Sequence, residues 1–333
     1  MKKTLFALIA LAVAAVGCNK TEVIDTNRQA IAFGEVFVDN ATKAIDPSFG
    51  DNKLVDEFNV WGTVTGNTGN TLNLYHGARV FDSAPTYGVA YDCEQTEYWI
   101  PSATYNFVAI ANATSVVPAT GIPATINYTV DGTSDLLYAV PVVVKTDASA
   151  APTSGVNENN CVAFNFKHLL SKVLFTFTNA SDAKCTYKIT NIAISGLTEK
   201  GTYTISTSSW VNDGTGTKSL SFGNATNTTS ESETDAQSIT NATPVTSHFE
   251  RLILPGTQTI TVSFHQEFWF DADGDGAGTP IKMNESDFSK TFDYTFAANG
   301  AYNIAVELKS GTEITFTVNS MTGWDEETSI TIP

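Results

Sequence analysis

The feature that most constrains this chain is a period of two. Ile314, Phe316 and Val318 alternate with Thr315 and Thr317, and Tyr302, Ile304, Val306 and Leu308 alternate with Asn303, Ala305 and Glu307. Ile260, Val262 and Phe264 alternate with Thr261 and Ser263; Phe292, Tyr294 and Phe296 with Asp293 and Thr295; Val173, Phe175 and Phe177 with Leu174 and Thr176. Successive side chains of a strand point to opposite faces, so each run reads as a strand with one face buried. Clusters such as Gly66-Asn67-Thr68-Gly69-Asn70, Asp131-Gly132 and Asp213-Gly214-Thr215-Gly216 mark the turns between them. Helical periodicity is nearly absent; Lys167 to Lys172 is one short candidate, a turn between two strands. The regular spacing of strands predicts an all-β protein made of antiparallel β-sandwiches.

Only 16% of residues are charged, below the ~25% of an average protein. The wet faces of the strands must therefore come from Thr, Ser and Asn, as in exported β-rich proteins. The formal net charge of −17 argues against a nucleic-acid partner.

The N-terminus reads as a lipoprotein signal peptide over residues 1–17. Lys2 and Lys3 precede an apolar run from Leu5 to Val16, and Gly17-Cys18 follows. That run is shorter than the ~20 residues a membrane-spanning helix needs. A plain secretory signal needs no cysteine there, so Cys18 is the expected site of lipidation. The expectation places the protein at the outer membrane, lipid-anchored, facing the cell surface. With Cys18 set aside, Cys93, Cys161 and Cys185 remain. Three thiols permit one bridge within the chain; Cys161–Cys185 is the better pair, and three unpaired thiols are the alternative.

About 315 residues follow the signal, enough for two domains. Residues 18–29 are polar and read as a tether. Residues 147–160 are small, polar and Pro-bearing, as a linker should be. They divide the chain into a first sandwich over 30–155 and a second over 156–333. The polar stretch 223–247 reads as a long loop of the second unit.

Several patches together resemble the fimbrillin family of Bacteroidales pilins. They are Cys18-Asn19-Lys20; Ile31-Ala32-Phe33 followed by Ala41-Thr42-Lys43-Ala44; Phe58-Asn59-Val60-Trp61-Gly62; Tyr105 to Asn112; Asp135-Leu136-Leu137-Tyr138-Ala139; Val162 to Val173; and Gly300 to Val306. The resemblance implies two transthyretin-like sandwiches, no enzymatic activity, no cofactor, and assembly with other pilin subunits into fimbriae that mediate adhesion. It also implies a mechanism. The first strand plugs a groove, protease cleavage releases it, and a C-terminal strand of another subunit replaces it. Here the plug would be Ala30–Val38, offering Ile31, Phe33 and Phe37, or Val36 and Val38. The donor would use Ile314, Phe316 and Val318, or Ile330 and Ile332. The family cuts after an Arg just past the plug, where this chain has Lys43; Arg28 lies before the plug, and cutting there would free the lipid but leave the plug.

Other constellations carry less. Asp271, Asp273 and Asp275 followed by Gly276 match the first half of a calcium loop, but Lys282 stands where a bidentate Glu is required. An acidic hairpin loop is the plainer reading, so no metal is expected. His76, His168, His248 and His265 show no metal or nucleophile spacing. Trp61, Trp99, Trp210, Trp269 and Trp324 suit core packing, or alternatively sugar stacking. The alternative to a pilin is therefore a monomeric, lipid-anchored surface protein that binds glycans or host proteins.

Overall fold

The computed structural model describes residues 28–38, 57–81, 91–112, 121–214, 216–227, 236–272, 279–310, 314–322 and 326–331, without the side chains at 35, 37 and 321–331. The described residues form strands and no helix. In chain order these are β1 (Ala32–Val38), β2 (Glu57–Thr65), β3 (Thr71–Phe81), β4 (Asp92–Cys93), β5 (Thr104–Ala111), β6 (Thr125–Thr129) and β7 (Leu137–Thr146). There follow β8 (Pro152–Ser154), β9 (Cys161–His168), β10 (Ser171–Asn179), β11 (Cys185–Leu197), β12 (Lys200–Thr204), β13 (Ser209–Asn212) and β14 (Lys218–Gly223). The last are β15 (Val245–Thr246), β16 (Arg251–Ile253), β17 (Gly256–Phe270), β18 (Ile281–Phe296), β19 (Ala301–Leu308), β20 (Thr315–Thr322) and β21 (Glu326–Thr331).

The first sheet runs β1-β9-β7-β5-β2-β3-β4, with β8 beside β7. It curls until its two ends meet through isolated bridges, Phe33 to Tyr91 and Ala30 to Tyr98. Inside lies an aromatic core that includes Phe58, Tyr75, Trp99, Tyr105, Phe107, Phe164 and Phe166.

The other sheets pack face to face as a sandwich. One runs β15-β10-β19-β20-β21 with β16 beside β10, and the facing one β14-β11-β17-β18. Rings interlock between them: Phe175 on Phe222 at 4.9 Å, Phe177 on Phe264 at 5.5 Å, and Phe288 on Phe316 at 4.9 Å between centroids. Most inward members of the alternating runs are buried as the period of two requires, with Phe292, Tyr294 and Ile314 half-buried; Val173, Phe175, Phe177, Ile304, Val306 and Val318 have no exposed surface.

The two cores are not separate in sequence. Val60, Phe107 and Ala109 face the first core, while Trp61, Val108 and Ile110 on the same strands face the second. This explains why Phe107-Val108-Ala109-Ile110-Ala111 is apolar throughout and does not alternate: a strand covered on both faces has no wet side. A fourth, small sheet, β13-β12-β6, joins β6 from the first half of the chain to strands of the second half.

Four expectations meet a different arrangement. First, residues 147–160 hold β8 and two side-chain-capped turns. The Asp147 carboxylate accepts from the Ser149 hydroxyl at 2.6 Å and from the N–H groups of Ser149 and Ala151, which holds its pKa below the usual range. The Asn157 side chain accepts from the N–H groups of Asn159 and Cys161. Small polar residues serve turns as readily as linkers. Strand β9, beyond the expected 155/156 boundary, lies in the first sheet, and the chain passes to the next sheet at Leu169-Leu170. Second, this corner is no helical turn: β10 begins directly after the pair Leu169-Leu170 that follows β9, and both leucines are buried. The Trp210 indole N–H donates to the Leu169 carbonyl, and His168 Nδ1 pairs with Asp135 at 2.5 Å. Third, two pairings are parallel, β1 with β9 and β10 with β19. Period-two alternation specifies a face but not a direction. Fourth, Cys161 and Cys185 are not bridged to each other: they are buried in different sheets, so of the two readings of the cysteines the one without a disulfide holds.

Candidate functional site

The leading strand β1 occupies a slot with two walls. On one side it pairs in parallel with β9, Ala32 opposite Cys161 and Val38 opposite Phe166. On the other side it meets residues 91–99. The Ile31 N–H donates to the Glu97 carbonyl at 2.8 Å, the Trp99 N–H to the Gln29 carbonyl at 3.1 Å, and the Tyr91 N–H to the Phe33 carbonyl at 3.0 Å. Both backbone margins of the strand are therefore engaged, one continuously and one at intervals.

The floor of the slot is the first core. Phe33 is fully buried and touches three rings: Tyr75 edge-on at 5.5 Å, Phe107 edge-on at 6.0 Å and Phe164 stacked at 5.9 Å. Phe58 joins Tyr91, Phe164 and Phe166 beside it, each at 5.5 Å. Burial, with the nearby Glu97 carboxylate acting in the same direction, pushes the Tyr75 and Tyr105 phenols and the Cys93 thiol above their ordinary pKa values.

Ile31, Phe33, Val36 and Val38 are all buried. The two alternative inward sets read from the sequence thus share one strand. The register shifts between Phe33 and Val36: Phe33 lies opposite Val162 and Val36 opposite Phe164. Two residues, Gly34 and Glu35, therefore face the single residue Ala163, which is a β-bulge. The bulge changes the phase, so Val36 and Val38 turn to the face that Ile31 and Phe33 already use. The Phe37 side chain lies outside the described residues. Nothing in the sequence marks Tyr91 and Trp99, which form the second wall, as parts of this slot; their segment has no alternation to mark it as strand.

At the other end of the chain, β20 lies between β19 and β21, and β21 is the outer strand. Phe316 and Val318 are buried in the second core, and Ile314 is half-buried against it. Ile330 lies in β21 opposite Val318 in register. Arg28 is exposed directly ahead of β1. Cys18, Lys43 and Ile332 lie outside the described residues.

So do Asp273 and Asp275. Asp271 is buried at the end of β17, its N–H donating to the Lys184 carbonyl at 2.8 Å. Further along the β17–β18 hairpin, His265, Glu267 and Glu285 present ligand atoms within 4.8 Å of one another. The Lys282 ammonium already sits between those carboxylates, 3.3 Å from Glu267 and 2.6 Å from Glu285. Trp61 and Trp99 are core residues. The Trp269 ring has the Lys188 and Lys282 ammonium groups at 5.5 and 6.0 Å.

The fimbrillin-like family model matches residues 42–328, beginning just after β1. Among solved structures, a fimbrial protein from Bacteroides vulgatus aligns at 15% identity and TM-score 0.54, covering 89% of this chain and 99% of its own. A candidate cell adhesion protein from Bacteroides uniformis aligns at 15% identity and TM-score 0.50, covering 90% of this chain and 99% of its own. At these identities the likeness is one of fold. A search of curated protein sequences finds no match.

Proposed function

This chain belongs to the fimbrillin-like family, and from that membership we propose that it is a pilin precursor exported as a lipoprotein on Cys18 and assembled by strand donation into adhesive surface fimbriae. Membership marks a structural rather than a catalytic protein. The observation that carries the strand-donation reading is the seat of β1. It is the first described strand, it lies at the margin of its sheet, and three of its side chains, with Ile31 just ahead of it, fill an aromatic slot.

The energetics suit a replaceable plug. Four buried apolar side chains at about 1.5–3 kcal/mol each give on the order of 10 kcal/mol gross, before the cost of ordering the strand. Removing β1 would expose those pockets and one margin of β9, which is the template that edge pairing exploits. The donor reading favours β21 over β20. An outer strand can leave its sheet without parting two neighbours, whereas β20 lies between two strands and would take Phe316 and Val318 with it. Other pilin subunits are the partners on this reading, and lipid is the anchor before processing.

The test is limited proteolysis of the full chain between β1 and β2. Cut protein should form SDS-resistant ladders or filaments, and uncut protein should remain monomeric. Cut protein that stays strictly monomeric at high concentration, with β1 released, would exclude strand donation and leave the monomeric binding protein.

A further inference from the structure

We propose that His265, Glu267 and Glu285, on the outer face of the β17–β18 hairpin, bind a zinc-class divalent cation by displacing the Lys282 ammonium. Ile260, Val262 and Phe264 of β17 point into the second core, so by alternation His265 and Glu267 point away from it. The antiparallel register then sets Asp287 opposite His265 and Glu285 opposite Glu267. One ring nitrogen and two carboxylate oxygens thereby come within 4.8 Å of one another. Along the chain these residues show no metal spacing, because the set is assembled across two strands.

The arrangement calls for a cation. Like charges directly opposite each other across a ladder repel, and Glu267 and Glu285 are such a pair. Lys282 stands in as the cation, its ammonium 3.3 Å from Glu267 Oε1 and 2.6 Å from Glu285 Oε2. The groups around the set leave its ligand atoms available. The Trp269 indole N–H donates to Glu267 Oε2 at 3.1 Å, so Oε1 is the oxygen turned to the cation. The Asp287 carboxylate can only accept, so the neutral His265 ring donates to it from Nδ1 at 2.8 Å and carries its lone pair on Nε2. A carboxylate behind a ligating imidazole is the common support of zinc sites. Imidazole with carboxylates suits zinc, whereas calcium prefers an all-oxygen set.

Lys282 can give way. Its side chain is 40% exposed, and its ammonium already lies 6.0 Å from the centroid of the Trp269 ring, which offers it a second seat. A divalent ion interacts with both carboxylates more strongly than a single ammonium at the same place. Glu285 is exposed, so water can complete the coordination. Once filled, the site ties β18, the outer strand of its sheet, to β17.

The experiment is calorimetric titration of the full chain with zinc chloride in excess calcium, paired with the visible absorbance of added cobalt(II). One zinc ion should bind per chain. His265→Ala, Glu267→Gln and Glu285→Gln should each weaken binding by about tenfold or more and abolish the cobalt band. Lys282→Met should tighten binding by about three- to tenfold, since it removes the competing ammonium. These side chains lie outside the core, and unchanged thermal unfolding of the metal-free variants checks that each one folds. Absence of zinc binding overturns the proposal. Binding that survives all three ligand substitutions places the ion elsewhere and overturns it too. Lys282→Met that binds no more tightly than the natural chain overturns the displacement.

Discussion

Phe33→Ala should cost about 3–5 kcal/mol of stability, the range for removing a large buried ring. The residue has no exposed surface and contacts three aromatic rings, so its removal leaves a hole among side chains that cannot all collapse inward. Because β1 is held on one side by only scattered bonds, a share of the loss should appear as local opening. Hydrogen exchange should quicken in β1 and β9 before the rest of the first sheet. Denaturant titration and exchange measured together check this. A loss below about 1 kcal/mol would mean that the strand is not held by its side chains, and the plug reading would lose its main support.

Phe316→Ala should cost a similar amount, about 3–5 kcal/mol, but without loosening β1. Its ring stacks on Phe288 at 4.9 Å and lies 6.3 Å from Phe264, inside the second core. Exchange should quicken in β18, β19 and β20 and stay unchanged in β1. Ladder formation by cut protein should persist at temperatures where the variant remains folded. If β20 is instead the donated segment, the variant loses the same stability and also forms no ladders at temperatures where it remains folded. That result would move the donor from β21 to β20.

The strands are legible in the sequence because alternation is a local property. Val173, Phe175, Phe177, Ile304, Val306 and Val318 declare their buried face in the order of the residues alone. Features that depend on partners far along the chain are not legible. The direction of β1 is set by β9, far later in the chain, and no pattern within β1 records it. The bulge leaves a trace: two rival inward sets can be read from Ile31 to Val38, and that ambiguity is what a change of phase looks like. The 147–160 segment misleads because composition does not distinguish a linker from a pair of capped turns. The aromatic wall from Tyr91 to Trp99 goes unmarked because it touches β1 at intervals, and interval contacts carry no period. Cys161 and Cys185 look like partners because they are near in sequence, yet their strands lie in different sheets.

The parallel seat of β1 has a mechanical consequence. The N-terminal ends of β1 and β9 lie side by side, while the far end of β9 runs on into the second core at Leu169. A pull on the leader near Arg28, resisted by the body of the protein, therefore drags the two strands lengthwise past each other. Their cross-links bear load together rather than yielding in succession from an end. Single-molecule extension from a leader handle should show a single abrupt rupture; a graded series of small yields would show that the strand peels. A strand seated this way holds fast against tension along its length, yet a competitor that invades from an end can still displace it.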